Sequence, residues 1–429
     1  MQTDSNGHSS PDRHSTNKVG VAVIGLGGAV ATTAVAGIAL LRTGRAGEEG
    51  LPLADLPPAL TEDLIPYSDL IFSGWDLNGD DLAQAARAHN VLPPAQLAEV
   101  APELSGITPW KAVANSEFCR NIQGKHVAPA NTHRQAISLI RANLRTFREE
   151  QRLRRLVVLN LASTEACVDR LLPQFEKLSQ FESALDSNTP EIGPAMLYAY
   201  AAIRERAPFI NFTPSVAADV PALVELAERE KVPLCGKDGK TGQTMIKTVL
   251  APALRARALR VDGWYSTNIL GNRDGLALDD KNSLASKLAT KGSVLDQILG
   301  YKVDDHLVDI RYYRPRGDNK ESWDNIDITG FLGQPMQIKV NFLCRDSILA
   351  APLAIELARL MDLAQRRGCT GVQSQFGAFF KQPMTGVGQP IAENAFHVQQ
   401  EILLSWLEEA HARNDVRAAL PMLESVAGD

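Results

Sequence analysis

The stretch VGVAVIGLGGAVATTAVAGIALL, residues 19–41, runs for 23 positions without a charge. It is formally long enough to cross a bilayer, and Lys18 and Arg42 flank it. Its composition points elsewhere. Five glycines (Gly20, Gly25, Gly27, Gly28, Gly37) interrupt it, and a glycine inside a helix costs about 1 kcal/mol relative to alanine. The pattern also changes midway. Val19, Val21, Val23 and Ile24 suit a buried strand, Gly25 to Gly28 a turn, and Ala29 onward a helix ending before Thr43-Gly44. Strand, glycine turn and helix predict the first half of a dinucleotide-binding βαβ unit. No acid stands clearly about 20 positions on, as that motif usually requires. Asp76, ending the strand-like SGWDLNG, is the candidate for the ribose hydroxyls.

Working outward, the design recurs. DLIFSGWDLNG (69–79), LRRLVVLNLAST (153–164), APFINFTPS (207–215) and VPLCGKDGKTGQT (232–244) each carry an apolar run that ends in small polar residues. Helical stretches such as MLYAYAAIRER and VPALVELAEREK lie between them. This alternation predicts an α/β protein with a doubly wound, Rossmann-type parallel sheet whose ligands gather at the carboxyl ends of its strands. Past residue 245 the texture changes to alternating, strand-like segments with few helices, which predicts an inserted antiparallel sheet. Helical patterns return from about 350. The expected organisation is a disordered tail over 1–16, a nucleotide-binding domain from 17–244 and 350–429, and an inserted α+β domain over 245–349.

The chain has 429 residues, a net charge of −6 and ordinary hydrophobic content. No basic field favours nucleic acid, no other segment suits a membrane, and the N-terminus does not resemble a secretory signal. Five scattered cysteines without a CxxC pair indicate reduced thiols and a cytoplasmic protein. The eight histidines form no zinc pattern.

Two further segments suggest chemistry. In GKDGKTGQTMIKTVL a Gly/Thr-rich turn (Gly239, Thr241, Gly242) precedes an amphipathic helix, whose N-terminal N–H groups suit a phosphate. Thr241 or Thr244 as a simple cap explains the same pattern. In SKLATKGSV, Lys287 and Lys291 stand four apart on one helical face. They read either as a solvated basic face or as crowded ammonium groups beside an anion.

The boxes GLGGAVATT, SGWDLNG, Asp238 with KTGQT, NILGNRDG, SKLATKGSV, RGDNK (316–320) and CRDSILAAPL (344–353) occur in one order. Together they resemble the myo-inositol-1-phosphate synthase family, also called inositol-3-phosphate synthases, over roughly residues 17–410. The resemblance implies an NAD-dependent isomerase acting on D-glucose 6-phosphate. Carbon 5 is oxidised, carbon 6 loses a proton, the enolate closes on carbon 1, and the ring is reduced again. It also implies an inserted sheet domain used for catalysis and for building a homotetramer. By resemblance, Lys287, Lys291, Lys320, Lys381, Asp238 and Asp346 are catalytic, and Thr241, Gly242, Gln243 and Asn272 hold the substrate phosphate. The implied cofactor contacts are Gly25, Gly27, Gly28, Ala29, Val30, Asp76, Thr164, Asn211 and Asp274. A monovalent or divalent cation beside Asp238, Asp274 and Asp346 stays open, with no diagnostic ligand spacing. The chain departs from the family at Ala29-Val30, where Asn-Asn is frequent, at Thr241 for serine, at Arg273 for asparagine and at Pro214-Ser215. A non-catalytic sugar-phosphate sensor of the same fold is the alternative.

Overall fold

The computed structural model describes residues 18–120, 124–271, 292–386, 388–389 and 391–409. The tail expected over 1–16 lies outside them. Eleven strands are described: β1 (Val19–Ile24), β2 (Leu70–Asp76), β3 (Trp110–Lys111), β4 (Arg155–Asn160), β5 (Phe209–Asn211), β6 (Pro233–Gly236), β7 (Arg260–Leu270), β8 (Asp305–Tyr312), β9 (Asn319–Thr329), β10 (Pro335–Arg345) and β11 (Gly371–Val372). The helices are α1 (Ala29–Arg42), α2 (Pro58–Thr61), α3 (Leu82–His89), α4 (Pro94–Ser105), α5 (His133–Glu150), α6 (Leu178–Asp186), α7 (Pro194–Arg204), α8 (Pro221–Glu230), α9 (Gln243–Ala256), α10 (Gly292–Leu299) and α11 (Asp346–Arg366). A further helix covers 396–409.

The opening stretch is a strand, a turn and a helix. β1 is buried throughout because it is central: it pairs in parallel with β2 on one side and β4 on the other. The first sheet runs β11-β6-β5-β4-β1-β2-β3, and every pairing in it is parallel. Side chains alternate between its faces, as the pleat requires. Val19, Val21, Val23, Val157 and Leu159 pack with α1 and α11, whereas Ala22, Ile24, Leu156 and Val158 pack with α5, α7 and α8. Strand order reverses between β1 and β4, and a crevice opens there at the carboxyl ends. No helix among the described residues is long and apolar enough to cross a membrane.

The second sheet, β10-β9-β7-β8, differs from the antiparallel expectation. β9 is antiparallel to both β7 and β10, but β7 and β8 are parallel. The connection from Leu270 to Asp305 is long enough for a crossover and contains α10, which removes the need for a hairpin. One face packs on α9 and α10 through Trp264, Ile326, Leu254, Leu295 and Ile298. A buried carboxylate fixes that packing. Asp324 accepts from Trp264 Nε1 at 2.7 Å, Ser266 Oγ at 2.6 Å and Gln243 Nε2 at 3.0 Å. The start of α9 is thereby tied to the sheet. The opposite face leaves Tyr265, Trp323, Leu307 and Leu343 exposed, with the Tyr265 and Trp323 rings 5.6 Å apart.

Close approach of β1 and β2 depends on Gly74, whose φ is +155° and where a Cβ would lie 1.9 Å from Val23 O. Gly74→Val is expected to lower the thermal unfolding temperature, at a cost of at least ~1–3 kcal/mol from overpacking. Gly37→Ala, which meets open space inside α1, is expected to raise stability by about 0.5–1 kcal/mol. Thermal melts followed by circular dichroism check both signs.

Candidate active site

At the switch point the glycine turn is pinned to the end of β2. Gly25 N and Leu26 N both donate to Trp75 O, at 2.8 and 3.0 Å. Gly25 adopts φ +87°, with Ala162 Cα 3.0 Å from where a side chain would start, so a larger residue is excluded there. Asp76 stands where the sequence reading places it. Its Oδ2 accepts Gly27 N at 2.8 Å and its Oδ1 accepts Asn78 N at 2.9 Å, so it holds the turn and faces the crevice together. His89, at the end of α3, reaches Gly27 O through Nε2 at 2.8 Å. α1 begins after Gly28 with no side-chain cap and no acidic residue in its first turn. Uncapped N–H groups and the helix dipole at that position suit the pyrophosphate of a dinucleotide, and the residues present therefore fit NAD.

The crevice is a cavity of about 1020 Å³ that continues past the turn. Its walls include Gly25, Gly28, Ala29, Val30, Asp76 and Thr164 at one end and Asp238, Thr241, Lys320, Asp346 and Lys381 at the other. Two ion pairs stand at that second end. Lys381 Nζ donates to Asp238 Oδ1 at 2.6 Å, with both side chains less than a tenth exposed. Lys320 Nζ donates to Asp346 Oδ1 at 3.3 Å, and Thr241 Oγ1 reaches the same oxygen at 3.3 Å. Asp346 opens α11, where the helix dipole favours a carboxylate. Behind it, Ser347 Oγ donates to Asp318 Oδ1 at 2.5 Å. Burial pushes the Asp318 carboxyl up, against the pull of the Ser347 hydroxyl.

The Asp238–Lys381 pair rests on a short antiparallel ladder. Lys237 and Gln382 exchange N–H···O bonds at 2.9 and 3.2 Å, and Lys381 N donates to Asp238 O at 2.7 Å. A neighbouring buried amine, Lys240, lies outside the cavity wall. Its Nζ donates to Gln399 Oε1 and stands 5.2 Å from the Phe396 ring, which docks helix 396–409. Burial brings that ammonium down to about 7.

Four expected residues, Asn272, Asp274, Lys287 and Lys291, lie outside the described residues, as does Arg273. Four others, Gly27, Asn211, Gly242 and Gln243, are not on the cavity wall. Asn211 uses its side chain internally, accepting from Thr213 Oγ1 at 2.9 Å and donating to Ser215 O at 2.7 Å. Gln243 turns its amide toward Asp324 and Asn268. Among the described residues no group of three or more His, Cys, Asp or Glu is placed to hold a metal ion. Two wall residues escape the sequence reading. One is His89. The other is Glu165, whose carboxyl burial pushes up to about 8 although the Ala195 N–H at the start of α7 opposes this. Neither stands in a motif, since both matter through what the fold places beside them.

A sequence profile of the family described as myo-inositol-1-phosphate synthase matches residues 52–408. The chain belongs to this family. Inositol-3-phosphate synthase 1 of Bacteroides thetaiotaomicron is 43% identical over 387 residues, covering 86% of this chain and 90% of that protein. The rice (Oryza sativa subsp. japonica) inositol-3-phosphate synthase 1 is 29% identical over 383 residues, covering 81% and 75%. Among solved structures, the inositol-3-phosphate synthase of Caenorhabditis elegans superposes with a TM-score of 0.85 at 29% identity, over 91% of this chain and 85% of that one. A myo-inositol-1-phosphate synthase-related protein from Thermotoga maritima gives 0.75 at 25% identity, over 91% and 98%.

For this family member Lys240 generates a pH signature with a definite sign. Below about pH 7 the amine is protonated in the folded and the unfolded chain, and its burial costs stability in full. Between about 7 and the ordinary 10.5 only the unfolded chain binds the proton, so stability rises with pH. Denaturant titrations at several pH values are expected to show the wild type gaining on Lys240→Met across that window. Parallel curves would remove Lys240 from the account.

Proposed function

We propose that the protein is an inositol-3-phosphate synthase, isomerising D-glucose 6-phosphate to 1D-myo-inositol 3-phosphate with NAD as a cofactor regenerated in each cycle. One observation carries this reading beyond family membership. A single cavity is walled at one end by the glycine turn and Asp76 and at the other by the two Asp–Lys pairs. Oxidation and carbon–carbon bond formation need such continuity to proceed without release of a reactive ketone.

Bound NAD supplies the oxidation at carbon 5 and the reduction that closes the cycle. The chain supplies the rest. Gly25, Gly27, Gly28, Ala29 and Val30 form the seat at the start of α1, Asp76 takes the ribose, and Thr164 lines the nicotinamide half. Asn211 supports that half through Thr213. Thr241 Oγ1 and the main-chain N–H groups of Gly242 and Gln243 hold the substrate phosphate at the head of α9. Negative charge then develops on the enolate oxygen and next on the aldol oxygen. Lys320 and Lys381, already fixed by their carboxylates, meet that charge without reorganisation. Asp238 and Asp346 take up the proton from carbon 6 and return one to the new alkoxide, since each lies within reach of a lysine that can pass it on. Lys287, Lys291, Asn272 and Asp274 complete the cation and phosphate contacts in this reading.

The chain divides in function as 17–244 with 350–429 for the cofactor and 245–349 for catalysis and assembly. The exposed band of Tyr265, Trp323, Leu307 and Leu343 supports a subunit contact on the second sheet and hence a homotetramer. Five free thiols support a cytoplasmic location.

Phosphorus NMR of the purified protein with glucose 6-phosphate and NAD is expected to show an inositol phosphate signal without net NADH. Tightly bound NAD with no product would instead favour a sugar-phosphate sensor. Lys320→Met and Asp238→Asn are each expected to lower kcat by about 10²-fold or more, the scale for removing one preorganised charge-stabilising group. NAD affinity should stay near the wild-type value, because neither residue touches the glycine turn.

A further inference from the structure

The ladder that carries Asp238 and Lys381 has a second face. Asp238 faces the cofactor cavity, Lys237 and Gln382 line a second cavity of about 430 Å³ behind it, and Lys381 lines both. That volume falls in the ordinary range for small-molecule sites, about 300–1,000 Å³.

The charges on its wall are unbalanced. Asp219 Oδ2 accepts from Lys237 Nζ at 2.8 Å and from Arg170 Nη1 at 2.9 Å, while its Oδ1 accepts Ala217 N at 2.8 Å. Burial would raise the Asp219 carboxyl, but Lys237 and Arg170 override it and hold the group down at about 2. One permanent carboxylate therefore serves two cations. Lys237 is only 7% exposed, and its ammonium makes no other hydrogen bond among the described residues. Two of its three protons are left for a ligand, as are most of the Arg170 N–H groups. A buried ammonium so incompletely paired beside an open cavity is costly unless an anion completes it.

Two further features match the same ligand. α8 starts at Pro221 on this wall with no side-chain cap, so its N-terminus adds positive potential. Asn394, 6% exposed and also on the wall, has its Oδ1 without a hydrogen-bond partner among the described residues. That oxygen suits a hydroxyl donor. We infer that the cavity behind the Asp238–Lys381 ladder is a second anion site, taking a dianionic phosphate group either free or as the monoester of a small polyol. Lys237 and Arg170 are its cationic contacts. The site is separate from the phosphate seat at the head of α9, and the inference does not depend on turnover.

The test is isothermal titration of the full chain, saturated with NAD, with inorganic phosphate and separately with glycerol 3-phosphate. Two equivalents per chain are expected for at least one probe. Arg170→Ala, at a half-exposed side chain, should weaken one equivalent about tenfold or more, the scale of a lost charge-assisted hydrogen bond. Conversion of glucose 6-phosphate would persist in that variant. Lys237→Met, checked for folding by circular dichroism, should abolish the same equivalent. Tighter ester binding at this equivalent assigns the polyol monoester; tighter inorganic phosphate assigns the free ion. A single equivalent with both probes, or a second one untouched by Arg170→Ala, would overturn the inference.

Discussion

The ion pair between Asp238 and Lys381 joins residues 143 apart in the chain, and the site is arranged around it. Burying two such charges is expensive, and removing one partner of a buried pair typically costs about 3–5 kcal/mol. The pair persists because a main-chain ladder delivers both side chains to one place. The segment after β6 supplies one strand of that ladder and the segment after β11 supplies the other. Between them the chain builds an entire second sheet and then returns through α11. The order of elements is what lets a sugar-binding half and a dinucleotide-binding half share one cavity.

That cavity is electrostatically prepared for anions. α1, α7 and α11 each direct an N-terminus at its wall, and α9 begins at Gln243, two residues after Thr241. Helix N-termini carry partial positive charge that costs no rearrangement when a phosphate arrives. Lys320 and Lys381 add full charges, each paired with a carboxylate. Such pairing holds the cations in position when no anion is bound, and in the proposed reaction it sets proton acceptors beside the groups assigned to the enolate. Asp324, with its three donors, locks α9 to the second sheet and keeps Thr241 in register with Asp346.

The sequence was most legible where local chemistry decides the outcome. The β1 strand, the Gly25–Gly28 turn and α1 lie where glycine content and β-branching place them, and Asp76 ends β2 as expected. The two-residue strands β3 and β11 have no periodicity to read. The parallel pairing of β7 with β8 depends on a long crossover, which alternation cannot reveal. Gln243 and Asn211 were expected as ligands on motif grounds, yet the fold turns both amides inward to satisfy buried partners. His89 and Glu165 matter only through their neighbours in space, the Gly27 carbonyl and the start of α7.

The central claim is that oxidation, ring closure and reduction occur in one cavity without exchange of the cofactor. The most direct measurement is the fate of deuterium placed at carbon 5 of glucose 6-phosphate, followed with NAD present in less than stoichiometric amount over many turnovers. An inositol phosphate that retains the label at the same carbon is expected. Loss of the label to solvent or its accumulation in free cofactor would contradict a closed cycle in this site.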